Sequence, residues 1–194
     1  MAYEPIFLAT LQPLASSIMP ALRVNEIASE STDGFSVLIE YGRLSAPYRV
    51  YYLPSELRAV VARSSGETQA LALCLGTRHW DGFVRQECLR QLVDAERPWA
   101  APFIVQLLGE YVVEIAQVVV TALEEGYVAG LAQFVIDNPS FMATTRRRII
   151  SYWSCHYRRQ FPFLHDYPAH IALESIHRMA LAVPSGLLIG NATE

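Results

Sequence analysis

Five arginines crowd one stretch of this chain: Arg146, Arg147 and Arg148 in a run, then Arg158 and Arg159. No Asp or Glu lies between Phe141 and His165 to offset them. A guanidinium holds a carboxylate or phosphate through a fork of N–H groups, so the stretch reads as a surface for an anionic partner. If it is helical, Arg147 and Arg158 are three turns apart and nearly eclipsed, as are Arg148 and Arg159. Two neighbouring rows then span about 16 Å. Tyr152, Trp153 and Tyr157 interleave with them, and Ile149, Ile150, Trp153 and Tyr157 are expected to form the buried stripe. Nucleic acid is one partner of the right chemistry, which would make the chain a nucleic-acid-binding protein or a nucleic-acid enzyme using the Arg-rich helix at 146–159. An acidic protein surface is another, including the acidic remainder of a second copy in a homo-oligomer. The plain alternative is a solvated Arg face that serves solubility.

His170, Glu174 and His177 fall at i, i+4 and i+7 and share a face of one expected helix. Glu-x-x-His is the core of di-iron bundle sites, but those need a second such pair and two further Glu residues, and no second pair occurs. Cys155, His156 and His165 match no standard zinc-ligand spacing. His170, Glu174 and His177 are therefore weak metal candidates, and a surface histidine ladder paired with Glu174 is the expected arrangement. Cys74 and Cys88 read as small hydrophobes in the core. Cys155, among the arginines, is the expected reactive thiol if exposed. A nucleophile elbow, a phosphate loop, a dinucleotide fingerprint and a paired CxxC are all missing, so neither a catalytic residue nor a cofactor is expected.

These groups sit in 194 residues that are 52% hydrophobic and 18% charged, with mean hydropathy +0.21. Such a composition excludes intrinsic disorder. No window reaches the roughly 18 unbroken apolar residues of a membrane span, so the apolar excess implies a crowded core or an interface. The net charge is −4 and all 15 basic residues are Arg, which argues against a globally basic nucleic-acid binder but leaves room for a local patch. Three cysteines make no disulfide framework, and no basic segment precedes the first apolar stretch. The expected address is cytoplasmic.

Two regions follow from patterning. Residues 1–53 carry one or two short helices broken at Pro5, Pro13 and Pro20, turn chemistry at 29–34, and a β-hairpin with strands Phe35–Tyr41 and Tyr48–Leu53. Residues 54–194 read as helices over 55–61, 66–75, 81–93, 100–108, 111–125, 127–136, 141–157 and 169–181, separated by Gly and Pro breakers. Short breaks force antiparallel neighbours, and the two regions can form one continuous domain. The apolar run 183–190 is expected to tuck onto the last helix, to be covered by a partner, or to continue into a longer array.

The helices repeat. Val84, Cys88 and Leu92 lie on one face, and adding 31 gives Ile115, Val119 and Leu123, apolar again. Subtracting 31 gives Leu53, Leu57 and Val61, while adding it twice gives Arg146, Ile150 and Ser154, where the match fails. The run Asp81-Gly-Phe-Val-Arg-Gln-Glu-Cys-Leu-Arg-Gln-Leu92 resembles the second helix of a HEAT repeat. Ala101–Leu108 and Tyr111–Leu123 resemble the two helices of the next, with Ala116 where the family has Arg and Val119 where it has a small residue. The resemblance covers 66–137 and extends loosely to 194. It implies a mainly α fold, a short α-solenoid of antiparallel helix pairs with the N-terminal hairpin as a cap or docking edge. It also implies a non-enzymatic scaffold, adaptor or regulatory subunit with a protein partner. Within 111–125 the polar residues Glu114, Gln117, Thr121 and Glu124 form a single narrow stripe, which predicts a helix flanked on several sides.

Overall fold

The computed structural model describes residues 11–22, 33–39 and 42–183. Among them the protein is mainly helical with one small antiparallel sheet. The helices are α1 (Gln12–Ile18), α2 (Pro54–Arg63), α3 (Gly66–Gly76), α4 (Gly82–Asp94) and α5 (Ala101–Leu108). They continue with α6 (Val113–Glu124), α7 (Leu131–Asp137), α8 (Pro139–Tyr152) and α9 (Pro168–Ala182). Proline begins α2, α8 and α9, where its missing N–H costs nothing and its fixed φ suits the first turn. Asp81 caps α4 by accepting a hydrogen bond from the Phe83 N–H at 2.8 Å. No described helix is long and apolar enough to cross a membrane.

Burial sorts the helices. Every residue of α5 is buried, and so is α3 from Ala70 to Gly76. In front of them α4 packs beside α6, and α6 beside α9. The narrow stripe foreseen on α6 is observed: Glu114, Gln117, Thr121 and Glu124 are exposed, while Val113, Ile115, Ala116, Val119, Val120 and Ala122 are buried. The 31-residue register holds in space, with Val84, Cys88, Leu92, Ile115 and Val119 all in the core and Leu123 at its edge. It lapses at Arg146, Ile150 and Ser154, which are exposed. The helix lying next to α6 is instead α9, whose core face is Ala169, Ala172, Leu173 and Ile176. It also packs against α5, α7 and α8.

Gly76 permits the α3–α4 contact. A Cβ built there would stand 2.3 Å from Cys88 Sγ, so only glycine lets the cysteine seat. Gly130 opens α7 with φ +68° and passes close to the backbone of Pro98; a Cβ would lie 2.3 Å from that carbonyl oxygen.

The hairpin forms, but its second strand is not where β propensity places it. β1 (Gly34–Ile39) pairs with β2 (Gly42–Pro47), Ile39 opposite Gly42 and Gly34 opposite Pro47. The segment expected to be a link is thus the strand, and Tyr48–Leu53 is not. Packing overrides propensity here: Leu44, Ser45 and Ala46 are buried, Leu44 filling the core and the small Ser45 and Ala46 letting it close against the ladder. Residues 48–53 run on as extended chain, and Val50 forms an isolated parallel bridge with His79 in the α3–α4 connection. Phe35 carries the hairpin into the helical core, meeting Phe103 and Phe141 at ring-centroid separations of 6.1 and 5.6 Å. One hydrophobic cluster runs from Leu11 to Ile176, through both regions that the sequence delineates.

Asn138 seals the outer edge of β1. Its Oδ1 accepts from Leu38 N at 2.8 Å, and its Nδ2 donates to Leu38 O at 2.8 Å and to Phe134 O at 3.0 Å. The carboxamide stands in for a neighbouring strand at Leu38, near the end of β1, which removes that position of the edge from the docking role expected of it. The expectations for residues 1–10, 23–32 and 184–194, including the apolar tail, lie outside the described residues.

Candidate functional site

The arginine stretch is helical, but not uniformly α. After Tyr152 the chain makes a π turn, Trp153–Tyr157. A π turn takes more residues than an α turn, so Arg158 and Arg159 fall about a quarter turn out of phase with Arg147 and Arg148, and the eclipsed rows dissolve. The expected buried stripe is corrected at Ile150, which is 40% exposed, whereas Ile149 is fully buried.

Each arginine has its own surroundings. Arg146 is ion-paired with Glu174. Arg147, exposed, donates to Thr144 Oγ1 at 2.8 Å. Arg148 lies 4.9 Å over the Tyr48 ring and Arg158 5.2 Å over the Trp153 ring. Arg159 is exposed and has no ion-pair partner among the described residues. The stretch therefore keeps two uncommitted cations, Arg147 and Arg159, with Arg148 and Arg158 held on aromatic faces.

His170, Glu174 and His177 do share a face of α9, but Glu174 is engaged by Arg146, and His170 Nε2 stands 3.9 Å from it. Burial lowers the His170 pKa, against the pull of Glu174. Among the described residues no group of three or more His, Cys, Asp or Glu side chains is placed to hold a metal ion. Cys155 is exposed; Cys74 and Cys88 are buried, and burial pushes the Cys88 thiol up to about 12.

A second arginine cluster, which the sequence reading passed over, lies beside this one. Glu110, in the α5–α6 connection, is 6% exposed and faces three arginines from three different segments. Arg49 Nη1 is 2.8 Å and Arg78 Nη1 3.1 Å from its Oε1, and Arg85 Nε is 3.1 Å from its Oε2. Arg85 Nη1 also donates to the carbonyls of His79 and Trp80, each at 2.9 Å. Arg78 and Arg85 have essentially no exposed surface, and among the described residues Arg78 Nη1 and Nη2, Arg85 Nε and Glu110 Oε2 have no hydrogen-bond partner, so Arg78 and Arg85 meet Glu110 as ion pairs. Burial pulls the Arg78 pKa down from the ordinary guanidinium range to about 10, Glu110 opposing and Arg49 and Arg85 assisting, so it is still charged at neutral pH. Desolvation likewise lowers Arg85.

The connections that carry this cluster are tied together. Val50 N donates to Arg78 O at 2.8 Å and Trp80 N to Val50 O at 3.0 Å. Buried His79 receives Asp81 N on Nδ1 at 3.0 Å, which makes Nε2 the protonated nitrogen that donates to Tyr52 O at 2.9 Å. Burial lowers its pKa. Arg148 joins from α8, packed on Gly109: its Cδ is 3.4 Å from where a Cβ would stand. Tyr157 donates its hydroxyl hydrogen to Tyr111 O, and the Tyr111 and Tyr152 rings lie 6.2 Å apart. Arg49 and Arg148 thus meet at the Gly109–Glu110 connection next to exposed Tyr111, and exposed Trp80 and Phe83 lie at the start of α4, whose Arg85 reaches the same carboxylate.

One signal for the second cluster was present in the sequence. Glu110 interrupts an almost wholly apolar passage from Ala100 to Val113, and a lone carboxylate there demands a cationic partner. Nothing in the spacing says which arginines supply it.

No family model, curated protein or solved structure matches the chain.

Proposed function

We propose that this chain is a non-enzymatic interaction module, a scaffold, adaptor or regulatory subunit, built from HEAT-like helix pairs α3/α4, α5/α6 and α8/α9. In this reading its exposed arginine and aromatic side chains receive an acidic protein surface. The side-by-side packing of α4, α6 and α9 supports the stack. So do the open grooves between them, about 560 Å³ along α4–α6 and about 430 Å³ along α6–α9. The lapse of the repeat at residue 146 then reflects α8 and its π turn lengthening the last unit.

The observations that carry the reading are the exposure of Trp80 (48%), Phe83 (82%) and Tyr111 (55%) and, elsewhere on the surface, of Arg147 and Arg159, which have no ion-pair partner among the described residues. Aromatic side chains and arginine are the residues that concentrate binding energy at protein interfaces. Arginines stacked on aromatic rings also suit a nucleic-acid backbone, so the same face has a second reading.

Affinity capture from the native host with wild type and with the Arg147→Glu/Arg159→Glu/Trp80→Ala variant tests the proposal. Proteins recovered by wild type and lost in the variant, with circular-dichroism melts unchanged, are the expected result. An identical set from both overturns it. Salt-sensitive retention of duplex or single-stranded probes by wild type alone would assign the face to nucleic acid instead.

A further inference from the structure

We propose that this chain docks on a second copy of itself, the arginine ridge of one lying in the groove between α4 and α6 of the other. The inference rests on the reading of the exposed arginines as a surface for an acidic protein, and it names that protein.

The charges are spaced alike on the two surfaces. Glu114 and Glu125 both line the groove, three turns apart along α6, nearly eclipsed and separated by about 16 Å. On the ridge, a continuous α-helix would carry Arg159 about 120° around from Arg147. The π turn takes back about a quarter turn, so the shift that parts Arg158 from Arg147 brings Arg159 close to the same row. Arg147 and Arg159, the two arginines of the stretch left uncommitted, are then about 17 Å apart along it.

The chemistry is complementary as well. Asp94 adds a third carboxylate to the groove, and Arg90 is the one cation in its lining. Asp94, Glu114 and Glu125 have no ion-pair partner among the described residues. Val93, Val118 and Ala122 give the groove an apolar floor. Ile150, one turn on from Arg147 and 40% exposed, gives the ridge an apolar side chain to set on it. At about 560 Å³ the groove takes a row of side chains. Opposite charges arranged in this way fix partner and register more than they add affinity.

The two surfaces adjoin. Tyr157, in the π turn, donates its hydroxyl hydrogen to Tyr111 O, just ahead of Glu114. A two-fold axis at that junction lets each copy give its ridge and receive the other's, and two-fold pairs are the commonest assemblies of identical chains.

Sedimentation velocity of the full chain, over a range of concentrations at low and at high salt, tests this. The expected result is a reversible dimer whose association constant falls about tenfold or more at high salt. Glu114→Arg/Glu125→Arg and Arg147→Glu/Arg159→Glu should each sediment as monomers with unchanged circular dichroism. Mixed in equal amounts they should pair again, because each variant then meets the opposite charge on the other. A monomeric wild type at low salt overturns the proposal, and so do variants that stay apart when mixed. If charge reversal disturbs the fold, Glu114→Gln/Glu125→Gln replaces it, and undiminished dimerisation is then the contrary result. A monomeric wild type that retains an oligoarginine peptide would assign the groove to a foreign cationic segment instead. Host proteins captured through the arginines by a chain that does not dimerise leave the acidic-partner reading standing and remove only the second copy.

Discussion

Replacing Asn138 with alanine isolates the contact that joins the hairpin to the helices. The carboxamide makes three hydrogen bonds, two to the backbone of Leu38 a hundred residues away and one to Phe134 O four residues before it. The Phe134 bond is buried, and the two at Leu38 lie on the part-buried outer edge of β1. At about 1 kcal/mol net for each bond, the loss is about 3 kcal/mol. In a chain of this length that lowers the melting temperature by roughly 6–12 °C. Urea unfolding followed by circular dichroism measures it as a fall in midpoint with unchanged slope. Asn138→Asp sharpens the test. The aspartate keeps an acceptor for Leu38 N but turns a carboxylate oxygen towards the two carbonyls that Nδ2 served, so it should destabilise at least as much as alanine. A loss below about 1 kcal/mol in Asn138→Ala, or an aspartate milder than the alanine, would refute the strand-mimic account.

Two further outcomes follow from the same geometry. Gly76→Ala drives a Cβ to 2.3 Å from Cys88 Sγ, an overpacking expected to cost about 1–3 kcal/mol. Adding Cys88→Ala removes the sulfur and should recover much of that, so strictly additive losses in the double variant would be the wrong result. His79 is buried neutral, with Nδ1 accepting from Asp81 N, and burial holds its pKa below the usual 6.5. The unfolded chain therefore binds this proton first, and stability present above about pH 6.5 falls as the pH drops towards the folded-state value. The contribution is at most about 1.4 kcal/mol per pH unit. In His79→Gln the fall of urea-derived stability between pH 7.5 and 5 should be shallower; His170, shifted the same way, leaves a residual slope.

The helices were legible because each is marked locally: proline at the first turn of α2, α8 and α9, and apolar residues three and four apart between breakers. The packing of α4 beside α6 was legible for a related reason, since the 31-residue repeat puts equivalent faces in equivalent places. What failed had no local mark. β2 is a strand because Ser45 and Ala46 are small enough to lie under the core, which propensity scores as a loop. The π turn that dephases the arginines has no distinctive residue type, and one such turn is enough to undo a row argument built on α spacing. The same limit explains the Glu110 cluster. Arg49, Arg78 and Arg85 come from the segment after β2, the α3–α4 connection and the first turns of α4, and only the fold makes them neighbours. The run at 146–148 drew notice because like charges were adjacent in sequence, yet adjacency keeps them solvated. The charges that the core must neutralise are the scattered ones, and for that reason the strongest electrostatic constraint on this protein lies at Glu110 rather than in the run.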